Sequence, residues 1–434
     1  VNVVINEWMA ANVSFVVDPT DGVFDDWIEL YNAGSAPADL SGYSLSDRLT
    51  GNSGRWSLPA GTIIPGRGFL FIWADEDTAR NGTDPIALHA GPPATAATPA
   101  SPLPVIDISA LGHGDEAAET DVVAAIRKAA SEVGFLAITG HGIAPAVAQR
   151  MRAAAQAFFD QPLTAKMACY IGRSTNHRGY VPEGEEQFMA GLLDRKEAFD
   201  LALDLPEGAV PPGHPMLGPN QWPALDHFRE DVMAWYAAAF SVGRRMLRGF
   251  ALALGQPPEV LLDRVTTPPS QLRLIHYPFQ PGIEDAPGIG AHTDYECFTL
   301  LSVTGPGLQV MTQAGEWIDV PPIPGALLVN IGVMFEFWSG GAFVATSHRV
   351  RKVPEERYSF PLFFALDYDV ELRPLSGADP EQSIHTGEHL FAQTAQTFRY
   401  LKERLQAGAV AMPGAARPLS SFGQEAQHRH SQTA

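Results

Sequence analysis

The chain has 434 residues, of which 45% are hydrophobic and 18% charged, and this composition and length predict a globular protein of two or three domains. Its formal net charge of -20, from 49 acidic and 29 basic residues, argues against a nucleic-acid-binding surface, which needs clustered Lys and Arg. No run of 18 or more apolar residues occurs, so we expect no membrane span.

The sequence contains few indications of cellular location. Cys169 and Cys297 are too few for a disulfide framework, and they lack the paired spacing of a zinc site. The sequence as given begins at Val1 without a charged and apolar signal segment. We therefore expect a reducing, cytoplasmic environment.

The first predicted domain covers residues 1–90 and is all-β. Short alternating runs, such as residues 26–31 and 68–73, lie between clusters of Gly, Pro, Asn and Asp. This pattern predicts a small immunoglobulin-like sandwich. The region contains no His, Asp and Glu constellation that suggests catalysis.

Residues 91–102 are rich in Pro, Ala and Thr, which predicts an extended linker. The segment that follows, residues 103–405, has a mixed pattern. Apolar residues recur at helical spacing over Val122–Val133, Val147–Phe159, His227–Leu254 and Gly387–Leu405. Strands are predicted over Leu272–Tyr277, Phe298–Val303, Ala326–Ile331 and Tyr358–Ala365.

Helices that flank a β core predict a double-stranded β-helix, or jelly roll, for residues 103–405. Residues 406–434 are polar and aperiodic, so we expect a disordered tail. His428 and His430 lie in this tail, and we interpret them as solvated side chains rather than metal ligands.

The candidate metal site begins with His292 and Asp294. Side chains at positions i and i+2 of an extended strand point to the same side. His348 follows in a separate predicted strand. Two imidazoles and one carboxylate on one face of a metal leave coordination positions open, as in non-haem Fe(II) oxygenases. Surface His and Asp are common, so the pair alone is weak evidence.

A second pattern strengthens this interpretation. Arg357 and Ser359 follow His348 on one predicted strand, where they can grip a carboxylate together. The strand continues as the apolar run 360–365, which predicts burial, and an unpaired buried Arg would be costly. A bound anion would remove that cost.

Ten motifs in order make the segment 103–405 resemble the 2-oxoglutarate and Fe(II)-dependent oxygenase superfamily, in its isopenicillin N synthase-like branch. The motifs are PVIDIS at 104–109, VGF at 133–135, GHGI at 140–143, RGYVP at 178–182, KEAF at 196–199, RLIHYP at 273–278, HTDY at 292–295, GLQV at 307–310, WIDV at 317–320 and NIG at 330–332.

The resemblance implies that His292, Asp294 and His348 hold Fe(II). It further implies 2-oxoglutarate and dioxygen as co-substrates, with release of succinate and carbon dioxide. The default outcome is hydroxylation of a small molecule, and desaturation or ring closure remains open. We expect no catalytic residue beyond the iron centre.

For 2-oxoglutarate, the resemblance implies that Arg357 and Ser359 bind the distal carboxylate, while Tyr277 contributes at the other end. Candidate substrate-pocket residues lie beside the motifs, and packing in the core is an equal alternative for each of the aromatic ones. They are Arg178, Tyr180, Tyr295, Phe335 and Phe364.

Three further residues bear on the pocket. His141 and His276 are expected to belong to the fold rather than to bind metal. Val333 follows Asn330-Ile331-Gly332 at a place where the family usually has an acid, so the local pocket geometry is in doubt. The substrate is therefore not transferred from the resemblance.

The N-terminal region resembles a lamin-tail domain, carried by residues 5–7, 26–32, 39–43 and 59–65. The family pattern continues with strands after a Leu-His motif, whereas Leu88-His89 leads into the linker here, so we expect an incomplete module. The sequence indicates no partner for it.

Two alternatives to the leading function remain open at this point. One is an oxidase of the isopenicillin N synthase type, which does not use 2-oxoglutarate and binds a substrate carboxylate through the equivalent Arg and Ser. The other is a binding or attachment protein with an inactive oxygenase fold.

Overall fold

The computed structural model describes two compact units, Val1–Ala100 and Ser101–Ala434. The described residues are 3–9, 27–32, 34, 36–46, 55–64, 69–73, 87–89, 102–113, 116–186, 195–211, 213–278, 287–351, 356–375 and 383–413. Nearly all of the predicted linker, and the predicted tail beyond residue 413, lie outside these ranges. None of the helices in these ranges is long and apolar enough to cross a membrane.

The described part of the first unit consists of strands, as predicted for residues 1–90. They are β1 (Val3–Met9), β2 (Trp27–Asn32), β3 (Ala38–Asp39), β4 (Ser44–Ser46), β5 (Arg55–Ser57), β6 (Ile63–Ile64), β7 (Phe69–Trp73) and β8 (Ala87–His89). One sheet has the order β1-β2-β7-β8, and β3 pairs with β6 and β4 with β5. The described buried core of this unit consists of Leu30, Leu40, Leu58, Ile64, Leu70 and Ile72.

The second unit combines a β core with helices. Its strands are β9 (Val105–Asp107), β10 (Phe135–Thr139), β11 (Gly179–Val181), β12 (Glu197–Ala202), β13 (Gln271–Tyr277), β14 (Pro287–His292), β15 (Phe298–Val303), β16 (Leu308–Met311), β17 (Trp317–Val320), β18 (Leu327–Ile331), β19 (His348–Arg351), β20 (Arg357–Phe364), β21 (Glu371–Leu372) and β22 (Ile384–His385). Its helices are α1 (Glu116–Glu132), α2 (Pro145–Phe159), α3 (Leu163–Lys166), α4 (Phe228–Ala253), α5 (Glu259–Leu262), α6 (Val333–Trp338), α7 (Thr386–Thr397) and α8 (Arg399–Gln406).

Two sheets form the predicted jelly roll. The larger sheet has the order β11-β12-β13-β20-β15-β18-β10-β9, and the smaller has the order β14-β19-β16-β17. Every residue of β13 is buried, including the polar side chains of Gln271, Arg273 and His276. The jelly-roll prediction for this segment is confirmed.

The long helix α4 packs against α1, α2 and β20. Its close approach to β20 depends on Gly243, because a Cβ atom at this position would lie 2.2 Å from Cε2 of Phe364. Phe364 stacks on Phe298 with 4.9 Å between ring centroids, so the side of β20 that faces α4 is filled with aromatic rings. This side of the sheet is core and not pocket.

The helix predicted over Gly387–Leu405 is divided in the structure. Phe398 has extended backbone angles and separates α7 from α8. The residues that follow it hydrogen-bond to Glu185, through Arg399 N to the carbonyl and Tyr400 N to Oε1. Phe398 also forms an isolated β-bridge with Glu186. These tertiary contacts override the helical pattern and bring Phe398 to the cavity described below.

Candidate active site

The three predicted iron ligands converge between two strands of the smaller sheet. His292 ends β14, His348 begins β19, and the two are direct partners in the antiparallel register. Asp294 follows β14 by two residues, so its side chain lies on the same side as that of His292. Oδ1 of Asp294 is 3.7 Å from Nε2 of His292 and 3.6 Å from Nε2 of His348.

Backbone carbonyls orient both imidazoles. Nδ1 of His292 lies 2.8 Å from the carbonyl oxygen of Gly290, and Nδ1 of His348 lies 3.2 Å from that of Thr346. A carbonyl can only accept, so we assign the ring proton to Nδ1 in each case. Each Nε2 lone pair then faces Asp294 and is available to a metal.

The carboxylate of Asp294 is held from its other oxygen. Thr299 Oγ1 donates to Oδ2, and Asn330 Nδ2 donates to the same atom at 2.6 Å. Oδ1 therefore points toward the two histidines. One donor atom from each of the three side chains lies within 4.8 Å of the others, and all three residues are buried. Two imidazoles and one carboxylate in this arrangement fit an Fe(II) ion with open positions.

Electrostatics favour the metal-binding protonation state. Burial, together with the nearby His348, lowers the pKa of His292 to about 3. Burial by itself raises the pKa of Asp294, but His348, His292 and the two hydrogen bonds lower it below its usual value. At neutral pH the site therefore presents a carboxylate and a neutral His292 imidazole, which are the forms that bind metal.

The predicted anion site lies on the larger sheet. Arg357 is 1% exposed, and its Nη2 donates to Oγ of Ser359 at 3.0 Å. Among the described residues, Nε and Nη1 of Arg357 have no hydrogen-bond partner. A buried guanidinium with unpaired donors is costly, and an anion that accepts two hydrogen bonds from one edge of the guanidinium would reduce that cost. The pair therefore fits the carboxylate of a co-substrate.

Tyr277 lies at the same end as Arg357. The two are cross-strand partners between β13 and β20, and the guanidinium carbon lies 4.6 Å from the centroid of the Tyr277 ring. The sequence-based prediction placed Tyr277 at the end of 2-oxoglutarate opposite to the distal carboxylate. The structure places Tyr277 beside Arg357, and the role of Tyr277 in binding the co-substrate stays a prediction.

A cavity of about 850 Å³, counting the space at its mouth, joins the metal triad to Arg357 and Ser359. Besides these residues, its described lining includes Tyr277, Tyr295, Glu296 and a polar wall formed by His177, Glu186, Lys196 and Arg273. Burial and the charge of Asp294 raise the pKa of Glu296 to about 8.

Family comparisons match the same segment. The description "2OG-Fe(II) oxygenase superfamily" applies to residues 268–366, and "non-haem dioxygenase in morphine synthesis N-terminal" applies to residues 103–225. The 2-oxoglutarate-dependent dioxygenase tropC of Talaromyces stipitatus is 33% identical over 311 residues, which are 68% of this chain and 95% of that protein. The chain belongs to the 2-oxoglutarate and Fe(II)-dependent oxygenase superfamily.

Other oxygenases match a similar share of the chain. A homoarginine-6-hydroxylase of Oryza sativa subsp. japonica is 32% identical over 320 residues, covering 68% of this chain and 97% of that protein. Among solved structures, a full-length Neurospora crassa protein in complex with alpha-KG has a TM-score of 0.60 at 26% identity, over 68% of this chain and 96% of that one. A rice dioxygenase for auxin oxidation has a TM-score of 0.52 at 26% identity, over 73% and 99%.

The N-terminal resemblance is also confirmed, since a Lamin Tail Domain model matches residues 1–118. This range overlaps the first sixteen residues of the oxygenase match that begins at residue 103. The domain boundaries predicted at 90 and 103 stay predictions.

Two polar candidates for the substrate pocket of this oxygenase lie elsewhere. Arg178 is fully buried, and its guanidinium donates to the backbone carbonyls of Asn176, His177 and Met216. The hydroxyl of Tyr180 donates to Glu197 at 2.6 Å. Neither residue lines the described cavity. The polar group of each is instead engaged in the hydrogen bonds given above.

Two aromatic candidates for the substrate pocket also lie outside the described cavity. Phe335 packs among Phe250, Phe298 and Trp338, and Phe364 faces α4. Both are core residues without exposure. Of the five predicted pocket residues, only Tyr295 lines the cavity.

The histidines outside the triad have structural contacts. Nε2 of His141 lies 3.1 Å from the carbonyl of Gly325. His276 lies between two carboxylates, with Nδ1 2.9 Å from Glu197 and Nε2 2.7 Å from Glu356. Neither belongs to the metal triad. Val333 begins α6, and its N–H donates to the carbonyl of Asp294.

Sequence reasoning did not predict several residues that line the cavity. Arg273 lies on the inward face of β13 with Gln271, Ile275 and Tyr277, and the alternation of this strand was the available signal. Lys196 belongs to a motif that was recognised without a role. Glu186 lies outside any periodic pattern, so no sequence signal pointed to it.

Proposed function

We propose that this oxygenase hydroxylates a small molecule in the cavity beside His292, Asp294 and His348, with 2-oxoglutarate anchored at Arg357. The observation that carries the proposal is the buried guanidinium of Arg357, whose Nε and Nη1 have no partner among the described residues, at one end of the cavity that contains the triad. The activity as a 2-oxoglutarate-dependent dioxygenase follows from the family.

Iron bound at the triad would supply the activation of dioxygen that couples conversion of 2-oxoglutarate to succinate and carbon dioxide with oxidation of a substrate C–H bond. Two imidazoles and one carboxylate leave room for the co-substrates on the same ion. The hydrogen bonds from Thr299 and Asn330 keep Asp294 in position as ligands exchange.

The remaining residues bind and orient the co-substrate. Arg357 would donate two parallel hydrogen bonds to the distal carboxylate, and the hydroxyl of Ser359 would add a third. Tyr277 covers the face of the guanidinium and keeps water from it. Because these groups are buried before the co-substrate binds, little reorganisation is needed on binding.

Succinate formation tests the proposal. The purified chain is incubated with Fe(II), ascorbate and 2-oxoglutarate, and we expect succinate at a slow basal rate that a substrate increases. Asp294→Ala should bind less iron and form no succinate above background. Asp121→Ala, at an exposed position of α1, is the matched control and should behave as the parent.

Either of two results would contradict the assignment. Full succinate formation by Asp294→Ala would remove this residue from the metal site. Dioxygen consumption by the parent without 2-oxoglutarate would instead favour the oxidase alternative, in which Arg357 and Ser359 bind the substrate.

A further inference from the structure

Gln271 lies at the end of the cavity that is remote from Arg357. It begins β13, and its side chain shares the inward face of this strand with those of Arg273, Ile275 and Tyr277. Tyr277 is the cross-strand partner of Arg357. Gln271 and Tyr277 are six positions apart, which is about 20 Å along a strand. A 2-oxoglutarate molecule anchored at Arg357 is too short to span this distance, so a second ligand can contact Gln271.

The side-chain amide of Gln271 has no hydrogen-bond partner among the residues that the structure describes. Gln271 is 6% exposed, and it lines the cavity. A primary amide offers two N–H donors and one carbonyl acceptor. A ligand that excludes water from this end must supply partners for both kinds of group, because an unsatisfied buried donor or acceptor is costly. The amide is therefore suited to a ligand with a donor and an acceptor side by side.

Two aromatic rings lie at the same end. Phe363 is the cross-strand partner of Gln271 on β20, so the two side chains lie on the same side of the sheet, and both line the cavity. Phe398 also lines the cavity. The guanidinium carbon of Arg273 lies 6.0 Å from the ring centroid of Phe363 and 5.3 Å from that of Phe398. These rings provide apolar faces on which a planar ligand can stack.

The charged side chains at this end compensate one another. Arg273 donates from Nε and Nη2 to both oxygens of Asp200, at 2.7 and 2.8 Å, and from Nη1 to both oxygens of Glu186, at 2.9 and 3.0 Å. Lys196 Nζ lies 2.7 Å from Oε2 of Glu186. Burial lowers the pKa of His177 well below its usual value, so its imidazole is neutral. Two buried cations are thus matched by two carboxylates, and a charged ligand would lack a counterion here.

We propose that Gln271 binds the substrate to be oxidised, through an uncharged group with an adjacent N–H and C=O, as in a lactam or a primary amide. The carbonyl of Gln271 would accept from the N–H, and its amide nitrogen would donate to the C=O. The proposal rests on the proposed function, because it takes Arg357 to hold 2-oxoglutarate.

Gln271 is then a specificity-determining residue. A substrate with an oxygen atom in place of the N–H would set this oxygen against the carbonyl of Gln271 or leave that carbonyl unsatisfied. Such an analogue should be rejected, since a site built to hydrogen-bond an N–H discriminates strongly against a ligand that lacks it.

Two pairs of lactams and lactones test the proposal, because the members of each pair have the same planar shape. The pairs are 2-pyridone with 2-pyranone and 2-quinolone with coumarin, and they differ only in the N–H that an oxygen replaces. Calorimetry is done without dioxygen on the full chain loaded with Fe(II) and saturating 2-oxoglutarate, which occupies Arg357. We expect at least one lactam to bind about tenfold or more tightly than its lactone.

Two variants connect the preference to Gln271. Gln271→Met has a side chain of similar length without the amide, and it should bind lactam and lactone alike. Gln156→Met, at an exposed position of α2, is the matched control and should retain the preference of the parent. The affinity for 2-oxoglutarate, measured in the same experiment, should be unchanged in both variants.

The outcomes are distinguishable. If the parent binds 2-oxoglutarate but neither lactam binds more tightly than its lactone, the proposal for Gln271 is wrong and the proposed function stands. If Gln271→Met binds 2-oxoglutarate as the parent does and keeps the preference for the lactam, the proposal is also wrong. If 2-oxoglutarate itself does not bind to the iron-loaded parent, the proposed function fails first.

Discussion

The guanidinium carbon of Arg357 lies 4.6 Å from the ring centroid of Tyr277, across two adjacent buried strands. This arrangement fixes the plane of the guanidinium, so its free edge faces the cavity in one orientation. Burial lowers the pKa of Arg357 below its usual value, although Tyr277 acts in the opposite direction. The residue is therefore a preorganised cation rather than a mobile one.

Arg357→Lys should weaken 2-oxoglutarate binding about tenfold or more, because an ammonium cannot reproduce two parallel hydrogen bonds. The measurement is the dissociation constant of 2-oxoglutarate with Fe(II) in the absence of dioxygen. Arg351→Lys, whose side chain is 48% exposed, is the control and should bind as the parent does. Unchanged affinity in Arg357→Lys would place the co-substrate elsewhere.

Thr299→Val should weaken iron binding about 10- to 100-fold, the usual effect of losing a hydrogen bond that orients a metal ligand. The reason is that Asp294 Oδ2 would retain only the donor from Asn330. Iron content after dialysis against a chelator series measures the effect. Thr299→Ser keeps the hydroxyl and should bind iron as tightly as the parent. Equal loss in both variants would point to packing around Thr299 instead.

Glu186 makes the stability of the chain depend on pH. Burial by itself would raise the pKa of Glu186, but Arg273 and Lys196 lower it from 4.5 to about 2. A carboxyl group with a lowered pKa in the folded state stabilises the fold above its unfolded pKa. This contribution is lost as the pH falls from about 4.5 to about 2.

Urea unfolding across this range compares the parent with Glu186→Gln. The parent should have the higher free energy of unfolding at pH 6, and the difference should narrow as the pH falls through the window. Glu207→Gln, at an exposed position, should follow the parent at every pH. A difference that stays constant from pH 6 to pH 2 would show that the ionisation of Glu186 does not contribute.

The sequence predicted the metal triad because its signal is local. His292 ends β14 and Asp294 follows it by two residues, while the cross-strand partner His348 begins β19. The prediction that Phe364 lines the substrate pocket was wrong, because proximity to a motif does not tell on which face of a strand a side chain lies. Counting by two from Arg357 and Ser359 leads to Pro361 and Phe363, which do line the cavity.

The polar wall could not be predicted for a different reason. Glu186 and Lys196 reach the cavity from segments that flank residues 187–194 and pair with each other. Glu186 also pairs with Arg273 on one strand, and Arg273 pairs with Asp200 on another. Neither periodicity nor motif order encodes contacts between such distant positions. The break at Phe398 likewise depends on Glu185 and Glu186, more than 200 residues earlier in the chain.

The segment 103–405 alone should fold and form succinate as the full chain does. The cores support this prediction, since the described cluster of the first unit contains residues from 28 to 72, and the two clusters of the second unit begin at Leu103 and Ile106. Every described lining residue of the cavity lies between His177 and Phe398.

A second truncation sharpens the test, because the lamin-tail match extends to residue 118. The segment 119–405 lacks β9 and the fully buried Ile108 and Leu111, and it should lose folding as judged by its melting transition. If 119–405 is folded and active, the oxygenase begins later than we predict. If 103–405 melts well below the full chain or forms no succinate, residues 1–102 are part of the folding unit of the enzyme.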